Sequence, residues 1–132
     1  FCTRSEQCIT NFCNRNISEV IVENQPSLKN PTMKSIQMIV YSYFIINGVC
    51  KEDCSIKNVE MINARNKLKV YKGEPIVCDI KETYKRNKYL AIQYCGKMII
   101  DEEKKFIDLY DNSKKKDDLS DSYLQGIYYL NK

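Results

Sequence analysis

Two short acidic runs, Asp101-Glu102-Glu103 and Asp117-Asp118 with nearby Asp121, come nearest to acid–base chemistry in this chain. Paired carboxylates divide the work of general acid and general base only when one is buried and shifted away from its neighbour. These lie among Lys104, Lys105 and Lys114 to Lys116, which reads as solvated helix starts and loops. There is no histidine, and that removes every Ser-His or Cys-His pair and every imidazole base or ligand. The four glycines stand singly at 48, 73, 96 and 126, so no glycine-rich phosphate loop exists. Gly-x-Ser-x-Gly, calcium-loop and Cys-x-x-Cys patterns are also absent. A cysteine nucleophile would need a lowered pKa with no histidine to supply it. The expectation is a protein that is not an enzyme, with no catalytic residue, no cofactor and no metal site.

The cysteines, at 2, 8, 13, 50, 54, 78 and 95, are numerous for 132 residues. Structural zinc is usually built on close Cys-x-x-Cys knuckles, and neither is present. The chain opens at Phe1, which suggests a removed leader peptide, and Asn16-Ile17-Ser18 is a sequon that makes Asn16 a glycosylation candidate. Together these favour a secreted, extracellular protein with disulfides. An odd count leaves at least one cysteine unpaired or used between chains.

The length suits a single domain over 1–132. The longest nearly apolar run, Met38 to Ile46, is far short of the ~20 residues that span a bilayer, so no membrane span is expected. A net charge of +4, with Lys114-Lys115-Lys116 followed at once by acid, lacks the basic stripe of a nucleic-acid binder.

Spacings of three and four through Ile9, Phe12, Cys13, Ile17, Val20 and Ile21 predict a helix over Ser5 to Asn24. Asn30-Pro31 opens a second helix carrying Ile36, Ile39, Val40, Tyr43 and Phe44, which Asn47-Gly48 stops. Cys50 and Cys54 share a face of a third, continuing through Ile56, Val59 and Ile62. Residues 63–73 read as a linker or one short strand. Pro75 opens a helix through Ile76, Ile80 and Tyr84, and Lys85 to Lys88 turns the chain into an apolar segment from Tyr89, helix or strand. Phe106, Leu109 and Tyr110 mark another helix; Leu119, Tyr123, Leu124, Ile127 and Tyr128 mark the last. The fold expected is all-α: a small disulfide-stapled bundle of six or seven short helices with at most one short strand pair.

Cys78 and Cys95 stand equally far before and after the centre of the Lys85–Lys88 turn, and facing residues of a hairpin can meet the ~7 Å limit of a disulfide. A ladder between the first and third helices would join Cys8 to Cys54 and Cys13 to Cys50 if antiparallel, and the opposite set if parallel. Cys2 is then the candidate free thiol. Of the ten tyrosines, Tyr41, Tyr43, Tyr89 and Tyr94 fall on apolar faces and are expected in the core. Tyr123, Tyr128 and Tyr129 belong to a C-terminal stretch too apolar to stay bare, and are candidate interface residues.

Cys78…Tyr94-Cys95 and, more loosely, Cys13…Tyr43…Cys50 resemble the two Cys…Tyr…Cys motifs of the bicycle proteins of gall-forming aphids. The composition, rich in Lys, Asn, Ile and Tyr, is similar to that of processed effectors from sap-feeding insects. The resemblance implies a salivary protein that alters plant development by binding a host protein, and brings no catalytic residues. Cys50-Lys51-Glu52-Asp53-Cys54 is similar to the Cys-x3-Cys pair of insect odorant-binding proteins, and Ile56 to Val70, with Asn-Lys-Leu-Lys-Val at 66 to 70, is loosely similar to their next helix and loop. Their later Cys-x8-Cys pair has no counterpart. That resemblance implies a helical carrier of a small apolar ligand. The composition fits a parasite or viral immune-evasion protein equally well.

Overall fold

The computed structural model describes residues 16–132. They fall into two compact units that divide between Asn63 and Ala64.

The unit ending at Asn63 is a strand–helix–strand arrangement: β1 (Glu19–Glu23), α1 (Pro31–Phe44), a π turn (Ile45–Val49) and β2 (Asn58–Ile62). The strands run parallel with Glu19 opposite Asn58 and Glu23 opposite Ile62. Parallel strands need a long crossover, which α1 supplies. The side chain of Asn30 accepts a hydrogen bond from the Met33 N–H (3.2 Å) and Pro31 opens the helix, as their order in the sequence anticipates. Buried Gln37 of α1 ties the unit together. Its Oε1 accepts from the Gln25 N–H (2.8 Å) and its amide donates to the Met61 sulfur (2.8 Å). Gly48 is buried in the π turn, where a Cβ would lie 3.1 Å from Ile56; its missing side chain permits that approach.

The unit from Ala64 to Lys132 holds a 3₁₀ segment (Ala64–Val70), α2 (Thr83–Met98), a 3₁₀ turn (Ile99–Asp101), α3 (Lys104–Asp111) and α4 (Lys116–Leu130). Ala91, Cys95, Ile99, Tyr110 and Leu124 form its core, with Leu68, Val70, Met98 and Leu119 packed around them. Tyr71 stacks on Tyr94 of α2, ring centroids 4.3 Å apart and planes within 11°. Lys88 reaches Asp117 at 2.6 Å, joining α2 to α4.

Several expectations are corrected. The helix expected to reach Asn24 lies partly outside the described residues, and its C-terminal part is β1. Val20-Ile21-Val22 are all β-branched, which costs rotamer freedom in a helix and suits a pleated surface. The third helix is replaced by turns and β2. Ile56, Val59 and Ile62 are all buried, but an odd separation puts Val59 and Ile62 on opposite faces of a strand. No helix starts at Pro75. Ile76, Cys78 and Ile80 are half-buried while Val77, Asp79 and Lys81 are exposed, the two-residue alternation of extended chain.

Lys85 to Lys88 does not turn the chain. It lies inside α2, because lysine and arginine are strong helix formers and neither glycine nor proline interrupts the run. The hairpin that would oppose Cys78 and Cys95 therefore does not exist: Cys95 is buried in α2 and Cys78 lies in the extended segment before it. No disulfide joins any two of Cys50, Cys54, Cys78 and Cys95. Cys2, Cys8 and Cys13 lie outside the described residues. The ladder expected for Cys8 and Cys13 loses its other rail, since Cys50 and Cys54 occupy turns and loop, not a helix. The all-α stapled bundle of six or seven helices is thus not the fold. Among the described residues there are four α-helices, two 3₁₀ segments, a π turn and a two-stranded parallel sheet. Tyr89 is exposed and Tyr41, Tyr43 and Tyr94 are half-buried; the fully buried tyrosine is Tyr110. Among the described residues no helix is long and apolar enough to cross a membrane.

Candidate functional site

On α3, Phe106, Leu109 and Tyr110 recur at spacings of three and four and share one side of the helix. On α4, Leu119 and Tyr123 stand one turn apart. The 3₁₀ turn at Ile99–Asp101 brings α3 alongside, and a groove of about 430 Å³ opens between the two helices. Buried Cys95, Ile99 and Tyr110 close its bottom, and Phe106, Leu109, Leu119 and Tyr123 form its sides. Phe106 and Leu109 remain 44% and 61% exposed. An α3 of only eight residues seats Tyr110 in the core and leaves these two facing the groove and water.

Polar groups are few and fixed. The Tyr123 hydroxyl donates to Oε1 of Glu102 at 3.0 Å, and burial together with that carboxylate pushes the phenol up to about 12. The phenol therefore remains a donor at neutral pH. Beneath the groove, the Tyr110 hydroxyl lies 3.1 Å from the Ile92 carbonyl and 2.9 Å from Ser120 Oγ, which donates to the Lys116 carbonyl at 2.6 Å. The Cys95 thiol faces the same two hydroxyls. Burial pushes it up, against the opposing pull of its hydrogen bonds to Ser120 and Tyr110, and holds it in the unreactive protonated form.

The acidic runs do not form a buried acid–base pair. Asp117 is held below its ordinary range by its hydrogen bond to Lys88, Asp118 pairs with Lys115 at 3.8 Å, and Asp121 pairs with Lys67. Glu103 pairs with Lys105 at 2.6 Å, and that ammonium also lies 4.7 Å from the Phe106 ring centroid. Of the tyrosines singled out as interface candidates, Tyr123 lines the groove; Tyr128 and Tyr129 are half-buried on the last turns of α4 and do not. Cys50 is exposed and Cys54 and Cys78 are half-buried. Asn16 is exposed with a φ of 55°, a left-handed conformation that asparagine tolerates. In the sequence Glu102 stands out only within an acidic run read as solvated, and Phe106, Leu109 and Leu119 only as helix markers.

The other unit has a depression of about 410 Å³ along α1, lined by Met38, Ile39, Ser42, Tyr43, Ile46 and Asn47. It carries no charged group.

No protein family matches the chain. No solved structure matches it either. The chain is 43% identical over 126 residues to an uncharacterized protein of Acanthamoeba polyphaga mimivirus, a match that takes in 90% of this chain and 30% of the relative. The chain thus spans less than a third of that protein's length.

Proposed function

We propose that this chain is a non-catalytic binding module of the effector type, which docks on a host protein through the groove between α3 and α4. The observation that carries this reading is the exposure of Phe106 and Leu109 beside a buried apolar floor. Large apolar side chains left bare around a concave surface favour association with a partner, because covering them releases water at roughly 25 cal/mol per Å². The alternative, a carrier for a small apolar ligand, fits less well. Such sites bury most of their ligand's surface, and a molecule lying against Phe106 and Leu109 would stay half wet.

Selection of a displayed helical-peptide library against the full chain tests the reading. Enriched peptides should bind the native chain and lose binding to Leu109→Arg, a substitution at an exposed position that leaves the core intact. Enriched peptides that bind the variant equally well would place recognition elsewhere. A fatty acid that occupies the groove and blocks every enriched peptide at stoichiometric concentration would favour the carrier.

A further inference from the structure

The groove is apolar along its length but acidic at one end. Glu102 lies at its edge, and Asp101 is close enough to raise the Tyr123 phenol. Of the two neighbouring lysines, Lys105 is already taken by Glu103 and Lys104 pairs with neither Glu102 nor Asp101. Among the described residues no lysine or arginine pairs with Glu102 or Asp101. The carboxylate of Glu102 is nevertheless oriented: the Tyr123 hydroxyl engages Oε1 at 3.0 Å, which leaves the second oxygen for another donor. An oriented carboxylate with no cation of its own, at the mouth of an apolar trough, is the complement of a chain that is apolar with one positive charge beside it.

We propose that the occupant of the groove is an amphipathic helix of the partner that seats apolar side chains against Phe106, Leu109 and Leu119 and sets a lysine or arginine on Glu102. This rests on the groove-docking reading above and adds the chemistry of the partner. The open sides suit a helix, whose apolar residues at i, i+3, i+4 and i+7 form a ridge of the kind such grooves accept. Tyr123 acts as a positioning residue: its hydroxyl fixes the rotamer of Glu102, so less freedom is lost when the cation arrives.

The test uses two synthetic helical peptides with leucines at i, i+3, i+4 and i+7, identical except that one carries lysine and the other glutamate beside the leucine ridge. Binding to the full chain is followed by fluorescence anisotropy. The lysine peptide should bind the native chain about three- to five-fold tighter than its twin, the scale of a partly exposed charge pair. Glu102→Lys should reverse the preference, and Tyr123→Phe should shrink it. Leu109→Arg should weaken both peptides, the lysine peptide at least as much as its twin. Equal binding of the two peptides with Leu109 sensitivity retained would overturn the cation contact and leave groove docking standing. Failure of both to bind the native chain, or to respond to Leu109→Arg, would overturn the helical occupant. Saturable binding of dodecylammonium with neither peptide bound would replace it by a small amphiphile.

Discussion

Removing one oxygen atom from Tyr110 probes the buried hydroxyl cluster of the unit 64–132. Three oxygen–oxygen contacts meet there: Tyr110 to the Ile92 carbonyl at 3.1 Å, Tyr110 to Ser120 at 2.9 Å, and Ser120 to the Lys116 carbonyl at 2.6 Å. Two hydroxyls supply only two protons, so one contact is always without a hydrogen. Both carbonyls also belong to helical ladders, where they accept a backbone N–H. Tyr110→Phe therefore deletes one O–H hydrogen bond and a contact to the Cys95 thiol, which keeps Ser120 as a partner, so nothing is orphaned and the expected loss is about 1 kcal/mol. Ser120→Ala also deletes one bond, but alanine gains about 0.5 kcal/mol in a helix interior, so the net change should be smaller. In the double variant both bonds are lost, and the two costs should add to within about 0.5 kcal/mol. Urea unfolding of the full chain, followed by far-ultraviolet circular dichroism, measures all four corners of the cycle. A loss above about 3 kcal/mol for Tyr110→Phe would reveal a stranded polar group and refute the proton count. A departure from additivity above about 1 kcal/mol would refute it as well.

Two further outcomes concern Tyr123 and the described cysteines. In a spectrophotometric titration at 295 nm, Tyr123 should ionise near pH 12, after the ordinary phenols, and Tyr123→Phe should remove that late step. Because the folded pKa lies above that of an unfolded tyrosine, the associated stability is complete below about pH 10 and disappears as pH rises through 12. Proteolysis without reduction should yield no peptide pair linking any two of Cys50, Cys54, Cys78 and Cys95; a Cys78–Cys95 pair would show that α2 breaks at Lys85–Lys88.

What could be read from residue order was mostly local. The start of α1 was legible because Asn30 and Pro31 act within one turn, and the apolar positions of α3 and α4 were legible because both elements are amphipathic helices. The errors came where one spacing serves two structures. Ile76 and Ile80 are four apart, which fits a helical face and also two steps of a strand; Ile56, Val59 and Ile62 mimic a helical stripe although their burial comes from a loop and both faces of β2. Lys85 to Lys88 misleads for a different reason: its polarity resembles a turn, whereas turns need backbone freedom that this run does not offer. The groove was half legible. Phe106, Leu109 and Leu119 stood out as helix markers, but nothing in their order says that α3 leaves a gap beside α4, or that Tyr123 finds Glu102 across it.

The parallel pairing of β1 and β2 also sets an order of events as the chain folds. Residue 19 meets residue 58, so the ladder gains nothing until the whole intervening segment has looped back. In the unit 64–132, by contrast, α3 and α4 are joined by only a few residues and their contacts close over short distances along the chain. Local helical contacts form in microseconds to milliseconds and distant strand pairings more slowly. Contacts between α3 and α4 should accordingly form before β1 pairs with β2. Until that pairing is complete, Val20, Ile21 and Val22 remain an uncovered β-branched run, open to pairing with another chain.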